Sequence, residues 1–302
     1  MRQRAIGPQT ADPAADEHLL RAVLTGAHLV RFLSGRYRAR VLRSILSRFA
    51  RRRARVSRAV LVAAVGATVL GAAACGGSDD PEPSLPSALL TADRLPADFT
   101  VVPMMVNDLI VSNRNTLEQS KTVAFTPAEC APTADAEFNP QLTEDNSALL
   151  VAQSDNGTFS ELLSSVRRDV DADRRSTTGP CAVVTAVPSR GTLAGARIVT
   201  TTVELPALRD PAVEQAFLIR NDSVTTLSGG EVRARTGLMA NVLVRRADGE
   251  VVTLQVGLST AERPVTEEER AAVVPGSPLV AAPVSDDDFV RLVRDAVARV
   301  AD

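Results

Sequence analysis

An uncharged run of 16 residues, Ala59 to Ala74, divides this chain into two parts of very different composition. Five arginines stand directly before the run, and Cys75 follows it at once, continuing as Cys-Gly-Gly-Ser. The run is shorter than the roughly 20 residues that a membrane-spanning helix needs. A basic flank, a short apolar stretch and small residues at a cleavage point are typical of an export signal. The sequence therefore predicts a basic N-terminal extension over residues 1–58 and a signal-peptide apolar region over residues 59–74.

The cleavage point resembles the bacterial lipobox, in which signal peptidase II cuts before a cysteine whose thiol has received diacylglycerol. Ala73, Ala74 and Cys75 match that pattern, whereas Ala72 stands where leucine is usual. Two or three acyl chains on one cysteine make stable anchoring plausible, and the basic flank keeps the N-terminus cytoplasmic. We expect lipidation at Cys75 and a mature protein on the extracytoplasmic face of the cell membrane. An uncleaved signal anchor is the alternative.

Two readings of the long leader stay open. Of the 34 basic residues, 33 are arginine, which suggests a GC-rich actinobacterial genome in which valine codons often start translation. Initiation at Val41 or Val56 would leave an ordinary leader. The rival is a cytoplasmic basic helix, because apolar residues have loose helical spacing at Leu19, Leu20, Val23, Leu24, Val30 and Leu33.

The exported part is acidic and lacks the usual catalytic side chains. Through Arg58 the chain has 14 arginines against three acids, or +11, so the formal total of −2 leaves −13 for the rest. Such a charge disfavours binding of nucleic acid. His18, His28 and Tyr37 all precede Cys75, and the chain has no tryptophan. The absence of imidazole excludes Ser-His-Asp and Cys-His catalysis and histidine zinc sites, so we expect no enzyme, no metal and no cofactor.

After Cys75 the sequence predicts a lipidated flexible tether over residues 75–88 and one α+β domain over residues 89–302. Residues 76–86 are small, acidic and proline-rich, as flexible tethers are. Runs rich in valine, isoleucine and threonine predict strands around residues 196–205, 215–227, 239–246 and 250–258. Asp248-Gly249 predicts a tight hairpin turn between the last two.

Three helices are predicted around these strands. Residues 158–171 place five apolar side chains on one helical face behind Thr158 as N-cap. Thr266 precedes three glutamates that fit another helix start. Ser285 and three aspartates begin a final helix that would dock on the sheet through Phe289, Leu292, Val293, Ala296 and Val297. Helices among antiparallel strands give an α+β fold, an antiparallel sheet with flanking helices.

Cys130 and Cys181 remain once Cys75 is lipidated, and they lie outside the reducing cytosol. We expect them to form a single structural disulfide, because no Cys-x-x-Cys motif is present. Closing the 50-residue loop removes ~4 kcal/mol of unfolded-chain entropy.

The alternation of Asp169, Asp171 and Asp173 resembles a calcium loop. Arg174 replaces the glycine that such a loop needs, and Pro180 stands where the bidentate acid belongs. A solvated helix end is the better interpretation.

These elements together resemble actinobacterial, mycobacterial-type exported lipoproteins whose domain is similar to the extracellular sensor domain of PknH-type serine/threonine kinases. The matching features are the lipobox, the Leu-Pro-Ala-Asp-Phe-Thr-Val segment at residues 95–101, Cys130 and Cys181, the β-rich second half and the closing helix. The resemblance covers residues 89–302 and implies a cleft that binds an unidentified ligand. That kinase domain has two cysteine bridges, whereas one is possible here, and its aromatic pocket residues are missing.

The sequence thus predicts a non-enzymatic, membrane-anchored domain that binds or senses a ligand of the cell envelope. The alternative is a structural or assembly lipoprotein that binds a protein partner through its surface. A large cleft would favour the first, and a flat exposed apolar patch the second. An enzyme that uses carboxylates and arginine alone is the third hypothesis.

Overall fold

The computed structural model describes residues 84–132, 134–272 and 277–302, so the leader and Cys75 lie outside the described residues. Ten strands of this part form one sheet. Their bounds are β1 Thr100–Val102, β2 Val123–Thr126, β3 Ser147–Gln153, β4 Gly157–Ser164, β5 Val183–Pro188, β6 Arg197–Glu204, β7 Val213–Thr226, β8 Val232–Arg245, β9 Val251–Thr260 and β10 Arg263–Pro264. The α-helices are α1 Val106–Ser120, α2 Ala134–Phe138, α3 Val170–Thr177, α4 Glu267–Ala271 and α5 Asp286–Ala301. Short 3-10 turns cover Leu85–Ala88, Ala92–Arg94, Ala128–Cys130, Asn139–Gln141 and Gly179–Cys181.

Every strand pair is antiparallel, and the order across the sheet is β1-β3-β4-β9-β8-β7-β6-β5-β2, with β10 beside β8. Strands β5 to β9 form a continuous meander, so the predicted α+β class with an antiparallel sheet is confirmed. Asp248 and Gly249 turn the chain between β8 and β9, and Gly249 takes the positive φ of 89° that this turn demands.

The helix predicted for residues 158–171 is wrong. Residues 157–164 form β4, and helical structure begins only at Val170. β4 lies between β3 and β9 and is covered on both faces, so apolar side chains occur at both parities of the strand. A strand buried on both faces loses its period of two and can imitate a helical pattern.

One face of the sheet, here named the core face, packs against α5. Ser285 caps this helix by accepting the amide of Asp288, and Phe289 and Val293 are fully buried against the strands. The five predicted docking residues of α5 are all buried, as expected. Opposite them the core face presents the apolar side chains of Phe159, Leu163, Leu218, Leu238, Ala240, Val242, Leu254, Val256 and Leu258.

The expected disulfide joins Cys130 to Cys181, and their Cα atoms are 5.4 Å apart. Cys130 ends a 3-10 turn after β2, and Cys181 ends another just before β5. Since β2 and β5 are paired at the edge of the sheet, the bond fixes this edge together with the end of α3.

Helix α1 crosses the face opposite the core face. It lies between β1 and β2, the two outermost strands, with three residues before it and two after it. A 15-residue helix is ~22 Å long, whereas nine flat strands would span ~38 Å. The five linker residues are just long enough to cover the remaining distance, so α1 must lie against the sheet. Leu109 of α1 packs with Leu149 and Leu162, which fixes the face that it crosses.

Candidate functional site

The face of the sheet that α1 crosses carries many buried polar side chains beside the apolar Ile219 and Met239, and we name it the polar face. Alternation along β4, β7, β8 and β9 assigns it side chains that the structure buries to 9 % exposure or less: Ser160, Asn221, Ser223, Thr225, Arg235, Asn241, Thr253, Gln255 and Ser259. A sheet face covered by a helix is usually apolar, because burial of polar groups costs free energy unless they are hydrogen-bonded. A buried polar layer of this extent calls for a specific explanation.

Helix α1 turns polar side chains toward this layer. Asn113 and Thr116 share the buried helix face with Leu109, and each is 2 % exposed. Asn113 Oδ1 and Thr116 Oγ1 have no hydrogen-bond partner among the described residues. Such atoms are rare in native proteins and indicate a bound water, an ion or a ligand.

Further buried polar atoms have no hydrogen-bond partner in the part of the chain that the structure describes. They include Asn139 Nδ2, Ser160 Oγ and Arg168 Nη1, which belong to residues that are 6 %, 0 % and 3 % exposed. Across the sheet from Ser160, a Cβ on Gly257 would come within 2.8 Å of its hydroxyl oxygen. Because Gly257 has no side chain, it leaves room for the hydroxyl group of Ser160.

Arg168 forms one end of the polar face. Its Nε and Nη2 donate to both carboxylate oxygens of Asp173 at 2.7 and 2.6 Å, and Nη2 also donates to Asp135 at 2.8 Å. Asp173 accepts the amide of Asn241 at 2.9 Å, and Gln255 donates to Asn241 Oδ1 at 2.8 Å. This chain of hydrogen bonds links α2 and α3 to the centre of the sheet.

The charges of this network stay compensated inside the protein. Burial alone would lower the pKa of Arg168, but Asp135 and Asp173 raise it, so the guanidinium remains charged. Burial raises the pKa of Asp173 from its ordinary value, and the hydrogen bonds from Arg168 oppose that rise. The network is thus a structural wall of the polar face, because its ionic groups already bind one another.

At the other end of the polar face, Glu262 binds Thr225 and lies near Arg233. Its Oε1 accepts the hydroxyl hydrogen of Thr225 at 3.1 Å, and its Oε2 lies 4.0 Å from Nη1 of Arg233. Charged groups at both ends are therefore paired, and between them hydroxyl and amide groups lie beside the apolar side chains of Ile219 and Met239.

A separate cavity of about 870 Å³ opens on the core-face side, at the start of α5. Arg220 lies in it and is held by Asp286 at 2.6 Å and by Asp222 at 3.1 Å. Asp288 is engaged by the cap residue Ser285 and by Arg291. Three consecutive acids, Asp286, Asp287 and Asp288, line this cavity, and two of them serve the ion pair with Arg220 and the helix cap. The cavity is polar, so it is not the large apolar cleft that would favour ligand binding at this point.

The predicted site residues have different outcomes. The disulfide of Cys130 and Cys181 is confirmed, whereas lipidation of Cys75 concerns a residue outside the described part and stays a prediction. Asp169 caps α3 by accepting the amide of Ala172 at 2.8 Å, as the interpretation of a helix end requires. Asp173, however, is 5 % exposed and bound to Arg168, so it is not solvated.

The polar atoms under α1 were missed by sequence reasoning. A signal was present, because the alternation in β9 places Thr253, Gln255, Gly257 and Ser259 on one face, but such a face is ordinarily interpreted as exposed to solvent.

In the described ranges, no group of three or more His, Cys, Asp or Glu side chains is arranged to hold a metal ion. None of the helices in this part of the chain combines the length and the apolar character needed to cross a bilayer.

Comparison with known proteins assigns no family. No protein-family model matches the sequence, and no curated protein matches it significantly. Among solved structures, an X-ray structure of an uncharacterized protein from Mycobacterium smegmatis matches with 17 % identity and a TM-score of 0.35, covering 70 % of this chain and 93 % of the other. A likeness at this level carries no argument about fold or function.

Proposed function

We propose that this chain is a membrane-anchored lipoprotein whose extracytoplasmic domain binds a small, uncharged polar ligand between α1 and the polar face, and catalyses no reaction. The observation that carries the proposal is the set of buried hydroxyl and amide atoms without partners, above all those of Asn113, Thr116 and Ser160. A ligand with hydroxyl or amide groups would supply the missing hydrogen bonds.

The charges of the site favour an uncharged ligand. Arg168 already pairs with Asp135 and Asp173, and Glu262 lies near Arg233. A charged ligand would have to displace one of these partners and leave a buried charge uncompensated, which costs several kcal/mol. Hydroxyl and amide groups need no such displacement.

The chemistry of the domain supports a binding role. Its two cysteines form a disulfide, so no thiol nucleophile is left after Cys75. Histidine is absent from the same stretch, which removes the usual general base at neutral pH. These absences support a non-enzymatic function for the domain.

Extraction of the bound ligand tests the proposal. The protein is purified from membranes of its native host or of an actinobacterial relative, denatured, and the released small molecules are identified by mass spectrometry. We expect a near-stoichiometric polar, uncharged compound from the wild type that is lost from the Asn113→Leu, Thr116→Val double variant. Thr177→Val is the matched control, because Thr177 donates to Asp173 O at 2.7 Å outside the site.

The control variant should retain the compound. A wild-type protein that releases no compound, or a double variant that releases as much as the control, would contradict the proposed site.

Membrane anchoring is tested separately by the intact mass of the same preparation. The expected mass is that of residues 75–302 plus two or three acyl chains, less two hydrogens for the disulfide. An unmodified mass that retains residues before Cys75 would refute the lipoprotein assignment and leave the ligand site unaffected.

A second candidate, a structural or assembly role, is favoured by exposed apolar residues on β5. Val183 and Val187 are 53 % and 38 % exposed on a part of the sheet that α5 does not cover. Substitution of both by threonine, which keeps the β-branched shape, separates the two functions. Loss of a cross-linked envelope partner with the ligand retained would support the assembly role.

A further inference from the structure

A carboxyl group is buried in the apolar core face of the sheet. Glu161 lies on β4 and is 0 % exposed. Its neighbours across the strands are Leu150 of β3 and Val256 of β9, both apolar. Its Oε2 accepts the backbone N–H of Leu90 at 2.9 Å, while Oε1 has no hydrogen-bond partner among the residues that the structure describes. This glutamate therefore has one protein hydrogen bond, and the donor belongs to the segment nearest the tether.

That segment, residues 84–95, lies between β4 and the end of α5. Ala88 and Leu90 are buried in the core, which places the start of the packed chain before residue 89. Arg299 of α5 donates to the carbonyl oxygen of Ser87 at 2.9 Å and also to that of Leu89. Docking of the segment thus depends on one carboxyl group and one guanidinium, together with the apolar packing of Leu85, Ala88, Leu89, Leu90 and Leu95.

The surroundings of Glu161 disfavour its ionised form. Burial raises the pKa of Glu161 from 4.5 to about 7, and the Leu90 amide and the charge of Arg299 oppose this rise. Arg299 is the charged residue of α5 that acts on Glu161. On the segment itself, the side chains of Asp93 and Arg94 are 78 % and 63 % exposed.

We propose that residues 84–95 form a proton-controlled latch, which is docked on the core face while Glu161 is protonated and is released when Glu161 ionises. Release gives water access to the carboxylate and removes the cost of its burial. This inference goes beyond the proposed function; only its consequence, a longer tether between the anchor and the domain, rests on lipidation of Cys75.

The expected effect follows from the two protonation equilibria. Docking of the segment favours the protonated form of Glu161, since the pKa of this residue is about 7 in the docked state and near its ordinary value when the carboxyl group is hydrated. The advantage of docking is complete below about pH 4.5 and is lost as the pH rises through about 7. The docking equilibrium should fall by roughly 70-fold between about pH 5 and about pH 8, with a limit of ~300-fold.

Hydrogen exchange of individual amides in the full chain tests the latch. After correction for the intrinsic exchange rate, the protection factor of the Leu90 amide should fall by roughly 70-fold between these two pH values. Leu254 in the core of β9 reports global opening, which also hydrates Glu161, so its protection should fall in parallel but stay well above that of Leu90 at both pH values. In the Glu161→Gln variant, which keeps an acceptor for Leu90 but cannot ionise, the protection of Leu90 should not depend on pH.

Three results would overturn the proposal: unchanged protection of Leu90 in the wild type, protection of Leu90 as high as that of Leu254, or the same pH dependence in Glu161→Gln. Arg299→Gln provides a second variant if Glu161→Gln does not fold. It should lower the protection of Leu90 at both pH values and keep the pH dependence, because the ionisable carboxyl group remains.

Discussion

Replacement of Thr116 by valine should stabilise the ligand-free protein. Thr116 is 2 % exposed, and its Oγ1 has no hydrogen-bond partner in the described part of the chain. Valine has the same shape and a similar helix propensity, so the change removes little more than a buried hydroxyl group. An unsatisfied buried hydroxyl costs ~1–3 kcal/mol, and we expect the free energy of unfolding to rise by about 1–2 kcal/mol.

The matched change Thr177→Val should have the opposite sign. Thr177 donates to the carbonyl oxygen of Asp173 at 2.7 Å, and loss of this hydrogen bond costs ~1 kcal/mol. Urea unfolding, followed by far-UV circular dichroism after removal of any bound ligand, measures both variants, since the sequence has no tryptophan and no tyrosine after Tyr37. If Thr116→Val destabilises as much as Thr177→Val, the hydroxyl of Thr116 has a protein partner and the argument for a ligand at α1 fails.

Other substitutions test the surrounding structure. Arg168→Met leaves two buried carboxylates without their cation and should cost ~3–5 kcal/mol, whereas Arg167→Met, at a half-exposed ion pair with Glu214, should cost less than ~1 kcal/mol in the same urea assay. Similar losses for both would show that Arg168 is not buried as described. Phe289→Ala should lower stability by ~3–5 kcal/mol because it opens a cavity under α5; a loss below ~1 kcal/mol would contradict the docking of this helix. Replacement of both Cys130 and Cys181 by alanine should cost ~4 kcal/mol in thermal unfolding, and an unchanged midpoint would argue against the disulfide.

The sequence predicts much of the sheet because its local signals agree with the tertiary structure there. The predicted strands around residues 196–205, 215–227 and 250–258 nearly coincide with β6, β7 and β9. The Asp248-Gly249 turn and the Ser285 cap are local devices that act through neighbouring atoms, so sequence suffices to find them. The strand predicted around residues 239–246 in fact begins at Val232. Its first residues were not predicted, because Arg233 and Arg235 interrupt the apolar pattern there.

The candidate site could not be predicted for a physical reason. In β8 and β9 one face is apolar and the other polar, a pattern that normally describes a sheet with one wet side. Whether the polar side meets water or a helix depends on α1, which crosses because β1 and β2 are the outermost strands. Strand order is a property of the whole chain and leaves no mark on Asn113, Thr116 or Ser160 themselves. β4 was missed for a related reason, since a central position made both of its faces buried.

The hydrogen bonds from Arg299 to Ser87 and Leu89 also determine where a label can be attached to this protein. They bring residues 299–302 beside residues 87–89, so, on the proposed lipidation of Cys75, a reporter fused after Asp302 would emerge next to the tether and near the bilayer. The turn at Gly229 and Gly230, between β7 and β8, is exposed, and a Cβ built on either glycine meets no atom within 4 Å. An epitope inserted at this turn would leave both chain ends undisturbed, which makes it the better place for a label in experiments on intact cells.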